Sequence, residues 1–231
     1  MDILSPMEVT AVLLSLRVAG WAIVVSLPLA VLAAWVLARW DFPGKTLLDG
    51  LLHLPLVMPP VVIGYILLVT MGTRGPIGGW LYQTFGIKLI FTAEGASLAA
   101  GVTSFPLMVR AIRLSVEAID TGLEAAARTL GAGPIDRFFN IMLPLMAPGL
   151  LAGAIVAFAS ALGEFGATIT FVSNIPGQTQ TLPLAIYAAT QQPDGEAVAA
   201  RLAVISFTIS LVALMLSEVL AHRLRLLIGQ R

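Results

Sequence analysis

Five long apolar runs constrain this chain before any motif does. They fall near residues 10–37, 51–71, 96–112, 145–171 and 202–221. Crossing a hydrocarbon core takes about 20 apolar residues of helix. No water is available there, so each backbone N–H and C=O must find a partner inside its own segment, and helices are expected. The balance of the chain agrees: 58% of residues are hydrophobic and 11% charged, and mean hydropathy is +0.94, as in an integral membrane protein. The expected fold class is all-α integral membrane, with five main transmembrane helices in a single domain over residues 1–231. A sixth apolar patch, Leu182–Thr190, is too short to span. Gly177-Gln178-Thr179-Gln180 lead into it and Gln191-Gln192-Pro193-Asp194-Gly195 follow. It is expected to be a short helix dipping into the outer face.

The thirteen basic residues orient the bundle, because Lys and Arg concentrate on the cytoplasmic side of membrane proteins. With Arg128 inside, the inner set is Arg39, Lys45, Arg110, Arg113, Arg128, Arg137, Arg223, Arg225 and Arg231. The outer set is Arg74, Lys88 and Arg201, with Arg17 near the outer end of the first helix. Nine against four places the N-terminus outside and the C-terminus inside, which an odd number of spans also requires. The first eight residues, Met1 to Glu8, carry two acids and no base. No secretory signal is expected, and the first run should stay as a membrane helix. A net charge of zero leaves no bulk field for nucleic acid. The absence of cysteine removes disulfides, thiolate metal sites and cysteine catalysis.

A polar island at residues 117–144 separates the third and fourth runs. Asp120 and Thr121 are suited to cap a helix starting near Gly122. Leu123, Ala127 and Leu130 recur at i, i+4 and i+7 and give it one narrow apolar stripe. Glu124 and Arg128 form an i,i+4 pair in the favourable order, worth about 0.2–0.5 kcal/mol. Gly131 supplies the left-handed residue that stops the helix. Gly133 and Pro134 start a second helix, with Asp136 in its first turn. Leu143-Pro144 is expected to end it and return the chain to the membrane. Three small side chains, Ala125, Ala126 and Ala127, let such a helix sink into a groove on a partner. Physics alone also allows an ordinary amphipathic hairpin lying on the membrane surface.

The run Glu124-Ala125-Ala126-Ala127-Arg128-Thr129-Leu130-Gly131, followed by Ile141-Met142-Leu143-Pro144, resembles the cytoplasmic EAA loop of bacterial ABC importer permeases. That family is marked by an EAA triplet, a glycine a few residues on and a later Ile-x-Leu-Pro. The resemblance implies the type I importer fold and an ATPase-docking role for Glu124, Ala125, Ala126, Ala127, Arg128, Leu130, Gly131, Ile141, Leu143 and Pro144. One departure stands out. Counting back from Gly131, the family glutamate falls at Ala125, whereas this chain has Glu124, about 100° away round the helix. Phe42-Pro43-Gly44-Lys45, the run from Leu54 to Tyr65, Gly163-Glu164-Phe165-Gly166-Ala167-Thr168 and the segment from Phe171 to Gly177 are similar to the molybdate branch of the family. Sulfate, thiosulfate and tungstate permeases are the neighbouring alternatives. The resemblance implies a homodimeric pore in the bacterial inner (plasma) membrane, surrounded by lipid. It also implies two cytoplasmic ABC ATPase subunits and a periplasmic oxyanion-binding protein, with no cofactor in this chain.

Other chemistry is poorly represented. Gly44-Lys45-Thr46 ends like a phosphate-binding loop, but the motif's first glycine would fall at Arg39, after a membrane helix rather than a strand. His53 and His222 are the only histidines and have no ligand partners at metal spacing. Packing or interface contact is expected for His53, and snorkelling for His222. No catalytic cluster is legible, so an enzyme is not expected and ATP hydrolysis is assigned to a separate subunit. An ion-coupled secondary transporter or channel would work alone, and usually carries ionisable groups at mid-membrane. Here the only clear mid-segment charge is Glu164. Its roles are structural, paired with Arg110 or Arg113 or bonded to backbone amides across a helix break, or that of a gate. Pro59, Pro60, Glu164, Thr168 and Thr170 are the candidate residues of the translocation path. Pro55, Pro59 and Pro60 are expected to kink the second helix. Gly149 and Gly153 form a small-xxx-small step for close packing of the fourth run against a neighbour. Tight packing and a hinge explain these residues equally well.

Overall fold

A computed structural model describes residues 4–227, and among them the regular structure is helical throughout. The first helix, α1 (Pro6–Arg39), starts from a capping box: Ser5 Oγ accepts from the Glu8 amide at 3.3 Å, and Glu8 Oε2 accepts from the Ser5 amide at 2.6 Å. The arrangement satisfies two of the donors that any helix start leaves open. Glu8 is buried, and its other oxygen accepts from Arg201 at 3.0 Å. That bond ties the start of α1 to the first turns of the last helix, α11 (Glu196–Leu227).

The second apolar run is broken more sharply than a kink. It is two helices, α2 (Lys45–Val57) and α3 (Pro60–Met71), bent by 112° at their junction. Met58 is extended there, with ψ 140°, as a residue preceding proline must be. Pro59 and Pro60 then remove two consecutive N–H donors, and Pro60 starts α3 where a missing donor costs nothing. A short helix that the apolar runs do not signal, α4 (Pro76–Phe85), follows. The long α5 (Ala93–Glu117) comes next, capped by Thr92 Oγ1 accepting from the Gly95 amide.

The fourth run differs at both ends. Leu143-Pro144 does not close the loop helix. Instead α7 (Pro134–Arg137), a π-helical turn (Phe138–Met142) and α8 (Leu143–Leu162) continue as one helical shaft of 29 residues. The π turn is the physical reason. Its wider bond, from the Leu143 amide to the Phe138 carbonyl, shifts the register just before Pro144, whose missing N–H would otherwise interrupt an α ladder. At the far end, α8 stops at Leu162, and a separate short α9 (Gly166–Val172) follows the break at residues 163–165. The short outer patch is helical over Leu182–Thr190, as expected, and is α10.

Helix α5 is the hub, packed against α1, α8, α9 and α2. The α1–α5 seam is built on small residues, including Ala19, Ala22, Ala96, Ala99 and Ala100, all essentially inaccessible. Small side chains let backbones approach closely where the hydrophobic effect offers little between helices in lipid. The α8–α5 seam works the same way: a Cβ added at Gly149 would sit 2.3 Å from Ser115 Cβ, and one at Gly153 3.2 Å from Ala111 Cβ. The basic residues sort to two ends. Arg17 pairs with Glu94 at 3.2 Å and Arg201 with Glu8 at one end; Arg39 and Arg113 serve the other. Met1, Asp2, Ile3 and Arg231 lie outside the described residues, and the side chains of His222 and Arg225 are likewise not described.

The seam is open to a direct test. Gly149→Val should lower the thermal midpoint of the purified protein in detergent, reflecting overpacking of about 1–3 kcal/mol. Gly50→Ala, at a helical position with nothing within 4 Å, should leave it unchanged or slightly raised.

Candidate functional site

Residues between α5 and α7 form a separate short helix. This is α6 (Thr121–Thr129), and Asp120 caps it, with Oδ1 accepting from the Gly122 amide at 2.8 Å. Gly131 takes φ +87°, a conformation that is inexpensive only for glycine. It returns the Ala132 amide to the Ala127 carbonyl at 3.0 Å and its own amide to the Arg128 carbonyl at 3.1 Å. Gly133 then caps α7, with Pro134 in its first position. The loop is therefore rigid at its corner and has no long flexible segment.

Its faces divide differently from the predicted stripe. Ala127 turns inward and is buried, while Ala125 and Ala126 are exposed and Glu124 is half-buried. Leu130 is 88% exposed and Ile135 75% exposed, so two large apolar side chains flank the glycine corner with nothing over them. Glu124 and Arg128 do not close an ion pair among the salt bridges of the described residues. Ile141, Leu143 and Pro144 sit on the shaft, in the π turn and the start of α8. Ile141 and Leu143 are half-buried and Pro144 is exposed. The fully buried Met142 lies among them. Phe138 meets Trp35 edge-on at 5.4 Å and Phe139 at 5.2 Å. No local pattern marks the Trp35 contact, because its two partners lie far apart in the chain.

The second candidate region lies where the short helices beyond two breaks in the apolar runs meet. Helices α3 and α9 pack directly on each other. A Cβ on Gly64 would come within 2.6 Å of the Ala167 carbonyl oxygen and 2.7 Å of Thr170 Cβ, and one on Gly166 within 2.8 Å of Pro60 Cβ. At the break, Glu164 Oε1 accepts from the Ala167 amide at 2.9 Å. This is a negative charge on the first turn of α9, where amides are unpaired. Of the partners weighed for Glu164, the backbone amide is the one the structure supplies. Arg113 is engaged with Asp49 at 3.0 Å and Glu117 at 2.7 Å, and Arg110 is exposed. Pro59 and Pro60 are exposed, Thr170 is half-buried and Thr168 is 1% exposed within the protomer. Thr170 Oγ1 donates to the Gly166 carbonyl of its own helix at 2.8 Å. His53 Nδ1 lies 2.9 Å from the Asp49 carbonyl oxygen on the same helix. Among the described residues, no group of three His, Cys, Asp or Glu side chains draws together to hold a metal ion.

Helices long and apolar enough to cross a membrane, two short helices in contact beyond breaks in the apolar runs, and a capped helical loop at one end describe a polytopic helical membrane protein. The chain belongs to the family of binding-protein-dependent transport system inner membrane components, whose model matches residues 26–226. It is 59% identical over 220 residues to the molybdenum transport system permease protein ModB of Escherichia coli (strain K12), covering 95% of this chain and 96% of that one. It is 37% identical to the sulfate transport system permease protein CysT of the same organism, covering 88% of this chain and 73% of that one. In fold it is similar to a chain of a bacterial alginate ABC transporter in complex with an alginate-bound periplasmic protein. The TM-score is 0.74 at 14% identity, over 95% of this chain and 80% of that one. The chain is thus a multi-pass inner-membrane permease subunit of an ABC importer, with the type I importer fold.

The capping role of Glu164 predicts a split between two substitutions. Glu164→Gln keeps an acceptor oxygen and should leave the thermal midpoint in detergent nearly unchanged. Glu164→Leu strips the cap and should cost about 1 kcal/mol of stability, the usual loss at an N-terminal cap. Equal destabilisation by both would show that the charge, not the hydrogen bond, matters here.

Proposed function

We propose that this chain is the membrane subunit of a molybdate importer, working as a homodimer with two cytoplasmic ATPase subunits and a periplasmic protein that delivers the oxyanion. The observation that carries the reading is the 59% identity to a molybdenum permease over nearly the full length of both chains. The match to a sulfate permease is much lower, at 37%. In this arrangement Gly131 sets the corner of the docking loop. Ala125, Ala126, Arg128, Leu130 and Ile135 offer the contact surface, with Glu124 beside it. The large exposed apolar pair, Leu130 and Ile135, suits a groove on a soluble partner. Ala127 supports α6 from within.

The chemistry of the candidate path fits a conduit rather than a binding site. Pro59, Pro60, Glu164, Thr168 and Thr170 bring no cation to the meeting point of α3 and α9. Thr170 already spends its hydroxyl hydrogen on its own helix, and a carboxylate at Glu164 repels an anion. Selectivity then belongs to the binding protein, and energy to the ATPase. The exposed faces of α2 and α3, from Leu51 through Val57 at 84% exposure to Tyr65, are open to a second copy, so that the two path regions face one another.

Reconstitution provides the test. The purified subunit alone in liposomes should show neither ATP hydrolysis nor gradient-driven uptake, and addition of the ATPase and binding protein should give uphill uptake of labelled molybdate in preference to sulfate. Preference for sulfate would reassign the substrate. A thiol introduced as Ala126→Cys, in a chain with no native cysteine, should become protected from soluble maleimide on assembly. Gly131→Val should abolish uptake while leaving the subunit in the membrane, since a β-branched residue cannot hold φ +87°. A freely labelled thiol in the assembled complex would remove α6 from the docking surface.

A further inference from the structure

We propose that the inner end of α1 is a brace for the loop, with Arg39 and Trp35 as positioning residues that hold both roots of α6 in register with the bundle. The proposal rests on the reading of α6 as the ATPase-docking surface and adds how its displacement reaches the membrane helices.

The loop has two roots. It leaves the bundle at the end of α5, through Ala118 to Asp120, and it returns through α7 and the π turn beginning at Phe138. Arg39, the last residue of α1, grips the first root: Nη2 donates to the Val116 carbonyl at 3.2 Å and to the Ile119 carbonyl at 3.3 Å. A helix C-terminus presents unpaired carbonyls and a partial negative charge, so a cation is favoured there. Asp120, the cap of α6, is the residue immediately after Ile119. A displacement of α6 therefore meets Arg39 with no flexible linker between them.

Trp35 reaches the second root. It lies four residues before Arg39, on the same face of α1, and its ring meets Phe138 edge-on at 5.4 Å. Phe138 opens the π turn, the one place along the shaft where the α register is interrupted. Between the two contacts, Leu37 is wholly buried in the same apolar core as Ile112, Val116 and Ile119, which ties this turn of α1 to the bundle. One helical turn thus holds the outgoing and returning limbs of the loop together. Arg39 Nε is buried with no acceptor, so the contact is made through Nη2.

The experiment uses the full transporter, this chain with its ATPase and binding protein in liposomes, and reads ATP hydrolysed per molybdate taken up. Arg39→Met should still assemble with the ATPase and still protect a thiol at Ala126→Cys. Its ATP consumed per molybdate should rise about tenfold, the scale of a typical coupling free energy between sites. Arg39→Lys should recover most of the loss, because an ammonium still donates to carbonyls. Trp35→Leu should raise the ratio in the same direction, and Trp35→Phe much less. A residue that merely stabilises the fold would lower the amount of complex without changing the ratio. An unchanged ratio in assembled Arg39→Met overturns the brace. Should that variant fail to insert, an unchanged ratio in Trp35→Leu overturns it equally. A thiol at position 126 that stays open in the complex with Arg39 and Trp35 intact would instead overturn the docking reading.

Discussion

The need to satisfy backbone hydrogen bonds without water governs this structure. An interruption of a helix within an apolar run exposes amides and carbonyls, each costing several kcal/mol in hydrocarbon if left unpaired. This chain interrupts two of its runs, at Met58–Pro59 and at residues 163–165, and sets the helices beyond them, α3 and α9, against each other. Each interruption carries its own remedy. Two prolines delete donors at the first, and Glu164 accepts from the Ala167 amide at the second. Gly64 and Gly166 then let α3 and α9 touch through backbone. The rest of the bundle, centred on α5, holds these two short helices in place.

How much of this is legible in the sequence depends on the range of the interaction. The loop from Asp120 to Pro134 is legible nearly residue by residue, because caps, a left-handed glycine and an N-terminal proline act within four residues. The bounds of α10 are legible for the same reason. Expectation and structure part where a local rule meets a longer-range choice. Apolar length identifies the second and fourth runs but carries no information on straightness. Pro144 looks like a stop because the rule assumes α register, and the π turn beginning at Phe138 changes that register. The periodicity of Leu123, Ala127 and Leu130 is correct as a period but silent about direction: Ala127 faces the protomer, Leu130 faces out.

Long-range pairing is the least legible part. Arg113 engages Asp49, 64 residues away, and Arg201 engages Glu8, 193 residues away. Nothing in the spacing of either residue marks its partner. The sorting of charge to the two ends is nevertheless visible, since it reflects the cost of placing any Lys or Arg in hydrocarbon. The Arg39 contact with the α5 carbonyls joins the two kinds of evidence. Its position at the end of an apolar run is plain from the chain, and its acceptors emerge only once α1 and α5 are packed together.

The division of labour in the proposed importer follows from the same economy of polar groups. Tight binding of an oxyanion within the membrane would need fixed cations or free donors at the path. Here the hydroxyls of Thr170 and Ser104 donate to carbonyls of their own helices. Arg17, Arg113 and Arg201 have carboxylate partners. An anion crossing such a surface is held weakly, and weak holding is what rapid passage requires, because a deep well on the path would become the slow step. In the proposed importer, affinity is therefore better located on a partner outside the membrane, and the work of moving the substrate would arrive as displacement through the loop. In that importer the loop suits this task. Its largest exposed apolar side chains include Leu130 at 88% and Ile135 at 75%, which would dock by burial of apolar surface. On that proposal a push on the loop would reach α1 through Arg39 and α8 through the shaft that begins at Pro134.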